Sequence, residues 1–254
     1  MNAHERVRER FTELAAAFGL LTRLPVHRLP LSIIQTRSDA VWAYPLVGAT
    51  VGALGGGVYW LAHGLACPPA LAGLWALAVM ILLTGALHED GLADLADGFA
   101  GGTPEQSLAI MRDHRIGAYG VIALMLSLAI RGTAIALIAD PHAVVAALMA
   151  AGAASRLSAV LLMAALPHAR PDGLSVTVGR PRAPLAGAAL GLTFVVSWVL
   201  LPFGRALVVM LTALAAALIL GSIARARLGG QTGDVLGASC QLSECLALTA
   251  LAIA

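Results

Sequence analysis

The chain has 254 residues, of which 59% are hydrophobic and only 12% charged, with a mean hydropathy of +0.86 and a formal net charge of +2. An ordinary soluble domain carries about 25% charged residues, so this composition excludes a water-soluble globular protein and makes a bilayer the natural solvent. All 16 basic residues are Arg, set against 14 acidic residues, which leaves no large basic field for a nucleic acid. Cys67, Cys240 and Cys245 are too few and too scattered for a disulfide framework or a thiolate metal site.

An amphipathic stretch comes first, with Phe11, Leu14, Phe18 and Leu21 at helical spacing and Arg6, Arg8, Glu9, Arg10 and Glu13 supplying charge. It is too short to span, and Arg23 and Arg28 follow where a signal-peptide cleavage site would sit, so it reads as an interfacial helix on the membrane. Seven segments are then long enough to cross a hydrocarbon core: 40–66, 68–87, 116–139, 142–166, 183–203, 206–224 and 235–254. Their continuous apolar runs exclude a β-barrel. The expected fold is all-α: a polytopic helix bundle with residues 1–254 as one membrane-embedded catalytic domain. Nearly all Arg outside the spans falls on the side of the N-terminus, and Arg205 alone on the other. By the positive-inside rule the loops 88–115, 167–182 and 225–234 share the cytoplasmic face, which is where chemistry is expected.

The second span runs into HEDGLADLADG, residues 88–98. On a helix Asp90, Asp94 and Asp97 fall within about 60° of one another, with Glu89 to one side. At roughly 6 Å and an effective dielectric near 20, like-charged pairs repel by about 3 kcal/mol, so such a face needs protons or a cation. All-oxygen ligands suit Mg²⁺, whose shell is usually completed by substrate phosphate oxygens. The alternative is a solvated acidic loop. His88 beside it reads as a hydrogen-bonding partner. Thr103, Pro104 and Gln106 start a short helix that leads to RDHRIG, residues 112–117, where Asp113 is a candidate base or ligand and Arg115 a candidate phosphate clamp.

Arg131 and Arg156 lie well inside the third and fourth spans and must face partners rather than lipid. Either could bind an anionic substrate or pair with Asp140, Glu244 or backbone carbonyls; Arg156 is read as binding substrate and Arg131 as structural. The last polar stretch, GGQTGDVLGASCQLSE at 229–244, allows close approach to a ligand at its glycines and places Asp234, Gln241 and Glu244 on one side of the final helix. Gln231 and Asp234 join the candidate substrate-binding residues. The loop from Pro167 to Pro184 reads as a substrate-facing lid.

Taken together, LLTRLPV at 20–26, YPLVGATVG at 44–52, LHEDGLADLADG at 87–98, IMRDHRIGAYG at 110–120 and GGQTGDVLGA at 229–238 make the chain resemble the cobalamin synthases, or adenosylcobinamide-GDP ribazoletransferases, end to end. The resemblance implies a multi-pass enzyme of a bacterial inner membrane whose active site faces the cytoplasm. It would join adenosylcobinamide-GDP to α-ribazole or its 5′-phosphate with Mg²⁺, releasing GMP, in the last steps of cobalamin biosynthesis. In the implied site Asp90, Asp94 and Asp97 hold Mg²⁺, and Glu89 or Asp113 completes the site or takes the proton. Arg115 and Arg156 clamp phosphate, and His88, Gln231 and Asp234 contact substrate. A homo-oligomer is left open. A CDP-alcohol phosphatidyltransferase wants an Ala-Arg pair after its Gly where this chain has Gly91, Leu92, Ala93, Asp94. A divalent-cation transporter would place carboxylates near the midplane with counterparts on both faces.

Overall fold

The computed structural model describes residues 3–26, 38–113 and 115–253, and these contain eleven α-helices and no strand. Helix α1 (Ala3–Leu21) and a 3-10 turn (Ser38–Ala43) precede α2 (Tyr44–Gly64), α3 (Pro69–Thr84), α4 (Leu87–Gly98), α5 (Pro104–Ile110), α6 (Ala118–Ile138) and α7 (Pro141–Ala165). The remaining helices are α8 (Leu174–Val178), α9 (Ala183–Leu200), α10 (Phe203–Leu228) and α11 (Gly233–Ile253). Proline occupies the first turn of α2, α3, α5, α7 and α9, where its missing N–H costs nothing. Arg28 falls outside the described residues, as does His114 within RDHRIG.

Six helices are long and apolar enough to cross a membrane, and a seventh crossing is made if α3 and α4 count together. The expected all-α membrane bundle is therefore what the chain forms, with one change. The span expected at 68–87 is a 16-residue helix, roughly 24 Å long, which is short of a hydrocarbon core about 30 Å thick. It stops at Gly85 and Ala86, both left-handed (φ 64° and 58°), and the chain turns 89° into α4. The acidic segment is thus a helix bent sharply away from α3 and packed against α6 and α11, and not a loop. Arg23, just after α1, donates its N–H to the Leu83 carbonyl at 2.7 Å and so ties the N-terminal segment to this turn.

Helix α7 is the centre of the bundle: 78% of its apolar window is buried, against 17% for α9 at the periphery. Its main neighbour is α2, antiparallel to it. The backbones approach so closely that a Cβ on Gly48 or Gly152 would overlap the carbonyl of the other, and one on Gly52 would overlap that of Leu148. The glycines expected to serve helix packing do so here. Phe11 of α1 is largely exposed, while Ala15, Ala16, Ala17 and Leu21 face the bundle.

The helices alternate in direction, so the connections at 99–117, 166–182 and 229–232 gather at one end, and 65–68, 139–140 and 201–202 at the other. At the first end Arg112 pairs with Asp172 at 2.6 Å. The Gln231 N–H donates to the Pro167 carbonyl at 2.8 Å, and the Ala169 N–H to the Gln231 carbonyl at 2.9 Å. These bonds bring the three polar connections together, as the Arg pattern implied.

Candidate active site

A cleft of about 810 Å³ opens at this end between α1, α2, α4, α7, α8 and α11. Its charged wall is built from four elements: His88 and Asp90 on α4, Arg156 on α7, Arg170 in the segment after α7, and Asp234 at the start of α11. Helix α4 lies hard against α11. A Cβ on Gly91 would sit 2.9 Å from the Asp234 carbonyl oxygen, so the glycine after Asp90 brings these two acidic positions to a single helix crossing.

Both arginines reach the cleft with a nitrogen to spare. Arg156 donates from Nη1 to Ser155 Oγ at 2.7 Å and to Glu244 Oε1, while its buried Nε has no partner among the described residues. The side chain of Arg170 places Nη2 3.5 Å from Asp234 Oδ2 and Nε 3.8 Å from Asp172, leaving Nη1 buried without a partner. Unsatisfied guanidinium N–H groups beside a cleft are expensive unless an anion arrives to accept them.

Behind this wall lies a polar network at the depth of the spans. Glu244 accepts from Arg131 Nη1 at 3.0 Å through Oε2 and from Arg156 through Oε1; Ser155 Oγ adds a bond at 3.2 Å. Glu89 Oε1 accepts from Arg131 Nη2 at 3.3 Å and from Gln241 Nε2 at 2.9 Å. Gln241 in turn accepts from Ser127 at 3.0 Å. Two arginines and two glutamates make the cluster neutral in total, which is how charge persists at this depth. The pairing expected for Arg131 is the one found.

Several expected site residues are used otherwise. Glu89 is engaged by Arg131 and Gln241 and does not line the cleft. Asp97 is a cap: Oδ2 accepts the Gly117 N–H at 2.7 Å and Oδ1 the Gly120 N–H at 2.8 Å, so both oxygens serve the N-terminus of α6. Asp94 is half-buried on α4 but is not a lining residue. Asp113 and Arg115 pair with each other at 2.6 Å on the exposed connection before α6, away from the cleft. Gln231 is structural: Nε2 meets His168 Nδ1 at 2.9 Å and its backbone clasps the 167–169 segment. Arg156 lines the cleft as expected but is bonded to Glu244. Sequence reasoning assigned no role to Arg170, because one Arg in a loop rich in Pro and Arg carries no periodicity to mark it. The Gly-Gly-Gln turn that holds its segment was the available signal. Replacing Asp97 with alanine should strip α6 of its cap and destabilise the protein by about 1–2 kcal/mol, read as a lower melting temperature in detergent; an unchanged melting temperature would return Asp97 to the candidate metal ligands.

The three aspartates of α4 share a helix face without converging, and among the described residues no group of three or more His, Cys, Asp or Glu side chains is arranged to hold a metal ion. The carboxylates that line the cleft are instead two, Asp90 and Asp234, alongside Arg156 and Arg170. That set fits Mg²⁺, which commonly takes one or two carboxylates and fills its octahedron with water and substrate phosphate.

Comparison with known proteins matches residues 13–252 to the family described as cobalamin-5-phosphate synthase. An adenosylcobinamide-GDP ribazoletransferase of Bradyrhizobium diazoefficiens is 44% identical over 245 residues, covering 96% of this chain and 94% of the relative. Proteins of the same name from Ralstonia nicotianae (43%, covering 96% of each chain) and Rhizobium etli (40%, covering 98% of this chain and 99% of the relative) are similar. No solved structure matches. A bundle that gathers its polar connections around an anion-ready cleft, matched almost end to end by these relatives, belongs to the cobalamin-5-phosphate synthase family.

Proposed function

We infer that the protein transfers the adenosylcobinamide phosphate of adenosylcobinamide-GDP to α-ribazole or its 5′-phosphate, releasing GMP. The observation that carries this reading beyond the family is the pair of arginines, Arg156 and Arg170, each with a buried nitrogen unfilled at one cleft. A diphosphate supplies the missing acceptors. In the transfer an acceptor ribose hydroxyl releases its proton to solvent as its oxygen forms a new O–P bond to the cobinamide-bearing phosphorus, and the bond from that phosphorus to the bridging oxygen breaks, so that GMP leaves with that oxygen and its electron pair. Arg156, held by Glu244, and Arg170, held beside Asp234, orient the diphosphate and meet charge that grows on its oxygens as the bridge opens. Asp90 and Asp234 would hold Mg²⁺, which would neutralise phosphate charge. The cleft walls exclude bulk water, which would compete with the ribose hydroxyl.

Purified in detergent, the protein should release GMP from adenosylcobinamide-GDP only when α-ribazole or its phosphate is added, and chelation of Mg²⁺ should stop the release. Release that ignores the acceptor would sink the transferase reading.

We place the cleft on the cytoplasmic face of a bacterial inner membrane. Among the described residues Arg112, Arg115, Arg170, Arg180, Arg182, Arg225 and Arg227 lie at the cleft end, and Arg205 lies at the opposite end. Gly102→Cys, at the cleft end, should resist a membrane-impermeant thiol reagent in intact cells and react once the membrane is opened. Cys67 is the internal reference, being partly exposed at the other end. Labelling of Gly102→Cys from outside would reverse the orientation.

A further inference from the structure

The cleft has a second wall, and its chemistry differs from the first. Leu20 and Leu21 of α1, Met163 of α7 and Leu174 and Val178 of α8 line it, with Ser175 of α8 the one polar side chain they contribute, and neither α1 nor α8 brings a charge. Leu21, Met163 and Val178 are buried members of the main apolar core, so this wall is continuous with the interior and is not a patch facing lipid. A site that handled only a diphosphate and its counter-charge would have no use for it.

Arg156, Ala159 and Met163 fall on one face of α7, at i, i+3 and i+7, and all three line the cleft. The step from Arg156 to Met163 is about 10 Å along the helix axis, comparable to the span of a nucleoside from its sugar to the far edge of its base. One end of this track ends in the arginine with the orphan Nε, and the other ends in thioether and aliphatic carbon.

Two aromatic bases take part in the proposed reaction. Guanine carries amide and amine groups around its edge, and burying these against leucine, valine and methionine would leave them unpaired. The base of α-ribazole is a fused ring whose outer edge bears methyl groups and asks only for apolar contact and a polarisable neighbour such as Met163. We propose that the wall formed by α1, Met163 and α8 is the binding compartment for the base of the acceptor nucleoside, leaving the guanine of the donor outside it. The proposal rests on the transferase reading and deepens it: the acceptor enters base-first along α7, which sets its ribose hydroxyl beside the diphosphate held by Arg156 and Arg170. Helix α8 closes over the base, and the two residues flanking it, Gly173 and Gly179, hold positive φ (102° and 84°).

The test uses equilibrium binding of α-ribazole and, separately, of GMP to the full-length protein in detergent, with no turnover required. Leu174 is 45% exposed, so Leu174→Asp should fold while placing a charge on the apolar wall. Ala159→Phe fills the track from the other side. Each variant should weaken α-ribazole binding by about tenfold or more and leave GMP binding unchanged. The compartment is refuted if α-ribazole fails to bind the wild type, if it binds both variants like the wild type, or if GMP is the ligand that weakens. Loss of α-ribazole binding in the variants, in a protein that releases no GMP, would uphold the compartment and reject the transferase reading, so the two failures are separable.

Discussion

Replacing Glu244 with alanine is expected to cause the largest loss of stability of any single change in the spans, about 3–5 kcal/mol. Glu244 is 3% exposed and is the shared partner of Arg131 and Arg156, themselves 1% and 3% exposed. Without it, two guanidinium groups at the depth of the bilayer would face Glu89 alone, which contacts Arg131 and not Arg156. Arg131, which does not line the cleft, would keep a charge that cannot reach water unless α6, α7 and α11 repack. Melting in detergent should therefore fall sharply for Glu244→Ala. Recovery should be only partial in the double variant Glu244→Met, Arg131→Met, which removes one charge of each sign but leaves Glu89 and Arg156 without their ion-pair partners. If the single variant melts like the wild type, the network does not carry buried charge as described.

Arg170→Ala should have the opposite signature. Its contacts are long, 3.5 Å to Asp234 and 3.8 Å to Asp172, and its buried Nη1 has no partner among the described residues, so little stabilising contact is lost and stability should change little. Acceptor-dependent GMP release should fall roughly 100- to 1,000-fold, the usual cost of deleting one preorganised donor to a developing anion. Arg170→Lys keeps the charge but not the planar fork and should recover only part of the rate. Turnover by Arg170→Ala at the wild-type rate would remove this residue from the diphosphate site and leave Arg156 as its lone arginine.

The comparison of Glu244 with Arg170 also shows where the sequence was informative. Arg131 and Arg156 were visible because an ionised group within a long apolar run is expensive, so its presence alone demands a partner. The partner was less visible. Glu244 was a candidate for both arginines, yet only the packing of α7, α6 and α11 makes one carboxylate serve the two. The acidic helix is similar. Its 100° periodicity put Asp90, Asp94 and Asp97 on one face, and they are there, but a face is wide enough to be divided among neighbours. Asp97 turns to the N-terminus of α6, and Asp90 turns to the cleft and Asp234.

By itself the sequence determined the class of molecule. Apolar runs of span length, a surplus of Arg on one side and five motifs in order fix a helical membrane bundle, its family and the end where its polar connections meet. Each of these follows from local composition, which needs no knowledge of contacts. Tertiary structure alone decided which polar groups line the cleft. Breaking the second span at Gly85 and Ala86 carries the acidic helix into the bundle, where α6 and α11 compete for its carboxylates. The clasp between Gln231 and the 167–169 segment carries Arg170 to the cleft from a loop without pattern. A side chain's role is set by the partners that satisfy it, and in this bundle those partners are as many as 152 residues away in sequence, as Gln241 is from Glu89.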